Sequence, residues 1–321
     1  MNTEADIAFA LLRSAIDGKA SALGDMPIET ETWWSVFKLM QRNHVAALAS
    51  MAVEHLDIPR EVKIPWLAEC EKAARWFRYQ LEVQQDIVDT MKQNGIDTLV
   101  LKGTHLAQYY PNPEQREFGD LDLYFYNRHV KADEIAKRKL KVTVDNKPHH
   151  HTKYNYRGMT IENHFDFFNR HYPSSNKRYN KMLVAMEPSS TFDVLHFLRH
   201  AAIHFAANGL KLRDLCDWAM LVSNGKDINW EKVADVMKRF GMMRFVATLD
   251  DVTSSRLGIA SPLQGIAPAG ASQRMVNDIF SNKHHDDTIS HYFHTRWKRR
   301  LAFSDCLTSQ LLHKITSHLS H

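Results

Sequence analysis

Cysteine is scarce in this chain: three in 321 residues, Cys70, Cys216 and Cys306, far apart. No two share a metal-ligand spacing, and an odd count argues against a disulfide framework, so each reads as filling a helix face. Long apolar runs are missing too, and none approaches the length needed to span a bilayer. The opening Met1-Asn2-Thr3-Glu4-Ala5-Asp6 is acidic where a secretory leader is basic. The expectation is a cytoplasmic protein with no membrane partner. Nor is there a strong excess of charge of one sign. Lys and Arg number 41 against 37 Asp and Glu, a formal +4, which permits a nucleotide or nucleic-acid partner without requiring one.

What is present is helix, in quantity. Residues 4–17 carry Ile7, Leu11 and Ile16 at amphipathic spacing, and Trp33 to about His55 reads as a second helix with Thr30 or Thr32 as cap. A long helix is predicted from Pro65 to Asn94, where Asn94-Gly95 ends it. The aromatics here, Trp33, Trp34, Trp66, Trp76 and Phe77, interleave with Arg42, Arg75 and Arg78. A nucleic-acid stacking surface is one reading; a helical core is the commoner one.

The first strand signal is Asp97-Thr98-Leu99-Val100-Leu101, which breaks at Lys102-Gly103-Thr104 into a helix-like segment, His105 to Tyr110. A strand that breaks at Gly into a helix presents backbone N–H groups to an anion, and Lys102 adds a positive charge. The next strand is Gly119-Asp120-Leu121-Asp122-Leu123-Tyr124-Phe125. A period of two puts Asp120 and Asp122 on one face, where Mg²⁺ relieves the repulsion of two convergent carboxylates. That is the chemistry of phosphoryl and nucleotidyl transfer.

Leu101-Lys102-Gly103, Tyr110-Pro111, Pro113, Arg116 and Gly119-Asp120-Leu121-Asp122-Leu123 together resemble the uncharacterised nucleotidyltransferase family within the DNA polymerase β superfamily. The superfamily usually has Ser after the turn glycine; Thr104 keeps the hydroxyl. The stretch from Gly103 to Asp120 is longer than usual, so the loop with Pro111, Pro113 and Arg116 is an elaboration. The resemblance is strongest over residues 96–126 and weaker to about 245. It implies a third metal-binding carboxylate from a later, neighbouring strand.

Downstream, Arg128 to Lys139 reads as a charged helix and Lys141-Val142-Thr143-Val144 as a strand. A hairpin follows: Lys153–Tyr156, a turn at Arg157-Gly158, then Met159–Asp166. In its second arm Thr160, Glu162, His164 and Asp166 share a face. The family's Glu-x-His matches Glu162 and His164, so Glu162 is the chosen third carboxylate and Asp166 the reserve. His149-His150-His151 reads as a solvated strand start, because three adjacent histidines cannot all face one ion. His284, His285, His291 and His294 read as surface.

From Thr191 the pattern is helical: Phe192–Ala207, Lys211–Ser223, Trp230–Phe240 and Arg244–Leu257. Leu212-Arg213-Asp214-Leu215-Cys216-Asp217-Trp218 resembles the family's downstream helix, which implies that Lys211 or Arg213 reaches a triphosphate; taken singly, each also suits a solvated face. Residues 258–273, rich in Gly, Pro, Ala and Ser, read as a linker, followed by a basic helical tail with Arg296, Lys298, Arg299 and Arg300.

The expected fold is α+β, a small mixed sheet of the nucleotidyltransferase type between helical regions. The expected division is an N-terminal helical region (1–95), a catalytic core (96–190), a helical region packing on it (191–257), and the linker with basic tail (258–321). The resemblance implies two Mg²⁺ ions held by Asp120, Asp122 and Glu162. Lys102, Gly103, Thr104 and Arg116 would serve an NTP, and the acceptor leaves no mark. Two rivals stand beside this reading: a nucleotide-binding module of the same fold without turnover, and a nucleic-acid-binding protein.

Overall fold

The computed structural model describes residues 3–19, 23, 27–147, 150–169, 173–263, 265–281 and 296–303. Its chain divides into two units, residues 1–167 and 168–321.

In the first unit, Thr3 caps helix α1 (Glu4–Asp17) through a reciprocal capping box with Asp6, and Gly18 ends it in the left-handed region. The single helix predicted over 33–55 is two, α2 (Thr30–Arg42) and α3 (Ala46–Val53). The break falls at Asn43–Val45, where His44 takes a positive φ of 56° and no helix can continue. Helix α4 (Arg60–Gln93) does two jobs. Its early part seats Trp66, whose indole N–H donates to the Ala46 carbonyl at 2.9 Å. Its later part brings Val83, Ile87 and Met91 into one core with the sheet residues Leu121, Leu123, Phe125, Tyr154, Met159 and Ile161. Each such fully buried aliphatic contributes on the order of 1.5–3 kcal/mol. Trp33, Trp66 and Phe77 are core; Trp76 is exposed and stacks on Tyr79.

The sheet has four strands in the order β1 (Leu99–Leu101), β2 (Leu121–Tyr124), β4 (Met159–His164), β3 (His151–Tyr156). β1 and β2 are antiparallel, β2 and β4 parallel, β3 and β4 antiparallel. It is the small mixed sheet expected of an α+β nucleotidyltransferase-type fold. Helix α5 (Gly103–Ala107) follows β1, and helix α6 (His129–Ile135), continued by a wide turn over Ala136–Leu140, belongs to the crossover after β2. The predicted hairpin forms: Arg157 and Gly158 both take positive φ (51° and 77°), the requirement of a two-residue turn matched to strand twist. Lys141–Val144, predicted as a strand, is not one. Lys141 turns left-handed after the wide turn, and beyond this segment the chain meets β3 in the isolated Asp145–Lys153 bridge.

The second unit is helical among its described residues: α7 (Asn176–Val184), α8 (Ser190–Ala207), α9 (Leu212–Asn224), α10 (Trp230–Arg239), α11 (Met243–Leu257), α12 (Ala271–Phe280) and α13 (Arg296–Ala302). Ser189 and Asn229 cap α8 and α10 with their side chains. Sequence reading missed α7, whose polar Asn176-Lys177-Arg178 start hides the buried Tyr179 and Leu183. The basic tail is not a uniform cationic surface. Lys298 and Arg299 are buried, and Lys298 pairs with Asp278 at 2.5 Å. Cys70 and Cys216 are free thiols. Cys306, His149, His284, His285, His291 and His294 lie outside the described residues. No described helix is long and apolar enough to cross a membrane.

Candidate active site

The site begins with strand alternation. In β2, Leu121 and Leu123 face α4, which turns Asp122 to the opposite face, where it is nonetheless only 2 % exposed. Parallel pairing sets Asp122 beside Glu162 and Tyr124 beside His164. Because β4 also has a period of two, Glu162 and His164 share the face of Asp122. Donor atoms of Asp122, Glu162 and His164 lie within 4.8 Å of one another. His164 Nε2 is 2.9 Å from Asp122 Oδ1 and 3.6 Å from Glu162 Oε2. Its Nδ1 lies 3.2 Å from the Asp166 carbonyl. Lys102 Nζ is the second cation on Asp122 Oδ1, at 2.8 Å.

The electrostatics follow from those contacts. Burial alone would raise the Asp122 carboxyl, but the Lys102 ammonium and His164 hold it well below the usual carboxylate range. Glu162 is likewise lowered: burial opposes, and His164 beside it prevails. His164 is raised above an ordinary histidine, against burial, by Asp122 and Glu162. The three shifts share one origin, the contacts among these groups.

Above it sits the turn between β1 and α5. Lys102 takes φ 50° and Gly103 φ 37°. A Cβ on Gly103 would stand 3.2 Å from the Phe118 ring, so backbone angle and close approach both select glycine. Arg116, 4 % exposed, donates from its guanidinium to the Gly103 carbonyl at 2.8 Å. Thr104 donates its hydroxyl to Gln84 of α4. The turn is therefore built from beneath by side chains.

Of the residues named from sequence, Lys102, Asp122 and Glu162 come together, with Gly103, Thr104 and Arg116 in or bound to the turn beside them. Asp120 is exposed just ahead of β2 and outside the group of donors around Asp122. Asp166 is buried and contributes its carbonyl to His164, while its carboxylate is not in that group. Lys211 and Arg213 belong to the second unit, at the start of α9, where the Lys211 backbone N–H donates to Asp214 at 2.8 Å. Burial, then Arg213, lowers the Lys211 ammonium, with Asp214 opposing.

Three contributions escaped sequence reading. His164 bridges the two carboxylates, and the Glu-x-His spacing on a strand was the signal for it. Arg116 binds a carbonyl, for which no signal exists. His150 and His151 are not a solvated strand start: both are half-buried, with ring centroids 5.5 and 5.2 Å from that of His164.

A buried Asp and a Glu are aligned on adjacent parallel strands, next to a strand–glycine–helix turn. The chain belongs to the uncharacterised nucleotidyltransferase family, whose model matches residues 29–256, from the start of α2 to the end of α11 and so across every residue named above. No curated protein and no solved structure matches the chain.

Proposed function

We propose that this protein transfers a nucleoside monophosphate from an NTP to an acceptor hydroxyl, with release of pyrophosphate and with Mg²⁺ as cofactor. The observation that carries this reading is the lateral alignment of Asp122 with Glu162. Their donor set fits the metal: carboxylate oxygens, held ionised, on neighbouring strands. Asp122 and Glu162 would hold the ion that serves the acceptor, and Asp120, two residues before Asp122, would join Asp122 in holding a second. When bound, Mg²⁺ neutralises phosphate charge and lowers the pKa of the attacking hydroxyl.

The chain's own residues do the rest. Lys102 neutralises Asp122 in the free protein and is placed to exchange that carboxylate for a phosphate oxygen. The Gly103–Thr104 turn offers backbone N–H groups to the triphosphate. Arg116 supports that turn through the Gly103 carbonyl rather than by meeting phosphate from a mobile position. His164 orients both carboxylates at once.

A second reading, a nucleotide-binding module without turnover, draws on one observation: Asp120 stands outside the group of donors. Titration of ATP and GTP with and without Mg²⁺, followed by incubation with labelled NTPs and a cell extract, separates the two. Metal-dependent binding with label transfer supports the enzyme. Binding without transfer supports the module, and absence of NTP binding removes both.

A further inference from the structure

We propose that His150, His151 and His164 form a binding site for one zinc-like divalent cation, beside the carboxylate pair and of different metal preference. The hairpin builds it. Its turn sets His151 opposite His164 in the β3–β4 register, and His150 is fixed just before β3 because its carbonyl accepts the backbone N–H groups of Phe165 and Asp166 at 3.1 and 3.2 Å. Two of three adjacent histidines thus meet a third from the partner strand, the arrangement that a single extended run cannot reach. One nitrogen from each ring lies within 4.8 Å of the others, and the His150 and His151 ring centroids are 4.5 Å apart.

Two observations point to a ligand. The Nδ1 atoms of His150 and His151 are buried and find no hydrogen-bond partner among the described residues. A buried ring nitrogen left this way carries an unmet desolvation cost, which a coordinated cation would offset. The surroundings also have the form of a metal's outer shell. His164 has the Asp166 carbonyl at Nδ1, the partner that fixes ring orientation in metal-bound histidines, and its Nε2 would take the cation in exchange for its proton and its 2.9 Å contact with Asp122. Glu162 lies 3.5 Å from His151 Nε2 and 3.6 Å from His164 Nε2, placing a negative charge against both rings. Three imidazoles select zinc and its neighbours in the first transition row, while Mg²⁺ prefers oxygen. The proposal does not rest on the transfer reaction.

The test uses the full chain, stripped with a chelator, and titrates Zn²⁺ by calorimetry and Co²⁺ by visible absorption. The expected result is one equivalent of Zn²⁺, undisplaced by excess Mg²⁺, with a cobalt band typical of nitrogen ligation. His150→Gln and His151→Gln should each weaken binding by roughly a hundredfold or more, abolish the cobalt band, and remove the rise in Tm that Zn²⁺ gives the parent protein. The two variants guard against misfolding of either, and their melts in chelator establish folding. No stoichiometric Zn²⁺ on the parent protein overturns the site. So does unchanged affinity in a folded variant, which would assign the ion to histidines elsewhere. Asp122→Asn should lose Mg²⁺-dependent NTP binding yet keep Zn²⁺, so failure of one assignment is distinguishable from failure of the other.

Discussion

Asp122 and Glu162, forty positions apart in sequence, stand side by side on β2 and β4, and the His164 imidazole contacts both. One ring thereby holds two carboxylates that would otherwise repel, and Lys102 adds the second positive charge. The consequences differ from residue to residue.

Asp122→Asn should abolish Mg²⁺-dependent transfer and also destabilise the protein. Asparagine keeps the shape but strands the Lys102 charge and takes the carboxylate from the His164 ring, at a cost of about 2–3 kcal/mol. Asp120→Asn, at an exposed position, should shift stability by no more than about 0.5 kcal/mol while still impairing transfer if a second ion is used. Denaturant melts and transfer assays on both variants check this. Full activity of Asp120→Asn would leave Asp120 outside the machinery.

Lys102→Ala should lower NTP affinity roughly ten- to a hundredfold, the loss of one charge-assisted contact, with the fold retained. Arg116→Ala should instead act on the turn. It removes a buried guanidinium–carbonyl bond, costing about 1.5–3 kcal/mol of stability before any nucleotide is added. If Arg116→Ala melts like the parent protein but binds NTP poorly, Arg116 meets phosphate directly.

Gly103→Ala combines a strained φ with a contact against Phe118. A loss of about 1–2 kcal/mol is expected, together with weaker NTP binding. Thermal melts and NTP titration of the variant read both.

The pH dependence has a definite sign. His164 is raised in the folded state, so the chelated protein binds its proton more tightly folded than unfolded. That contribution is complete below the ordinary histidine range and is lost as pH rises through the folded-state value. Asp122 and Glu162 are lowered, so their contribution is present above the ordinary carboxylate range and lost as pH falls below it. Stability of the chelated protein should therefore fall on both sides, and His164→Gln should flatten the alkaline side while also weakening the acid side, since Asp122 and Glu162 both lose a partner that lowers them. An unchanged alkaline limb in that variant would show that His164 does not govern it.

Glu162→Gln and Asp166→Asn, compared in single turnover, test the third carboxylate. Glu162→Gln should depress the chemical step more than NTP affinity. The Asp166 variant should stay near normal in chemistry, because its carboxylate stands outside the group around Asp122.

How much of this was legible depended on how local the cause was. Leu121-Asp122-Leu123 and Ile161-Glu162-Asn163-His164 declare their faces through a period of two, and Arg157-Gly158 declares the turn. Counting outward from that turn pairs His151 with His164, so even the histidine group was implicit in the hairpin. The choice between Glu162 and Asp166 was not, because it depends on how β4 aligns with β2, and no residue in either strand encodes that. The Arg116–Gly103 bond was hidden for the same reason: a guanidinium reads as solvent- or phosphate-facing until its backbone partner is known. Asn43–Val45 broke a helix at His44, a residue whose left-handed backbone no local pattern announces.

Helix α6 and the hairpin also share an anchor. Asp133 of α6 accepts from Thr152 of β3 at 2.8 Å and from Asn163 of β4 at 2.7 Å. The hairpin closes locally and forms on the order of microseconds, whereas pairing β4 with β2 must first close a loop of more than thirty residues. Assembly order follows from this: β3 and β4 meet early, and Asp122 acquires its neighbour Glu162 only when the hairpin docks. During refolding the chain would regain its hairpin before Asp122 regains Glu162 as a neighbour. A stopped-flow experiment should accordingly see far-ultraviolet ellipticity recover ahead of Mg²⁺-dependent nucleotide binding. Asp133→Ala should widen that interval.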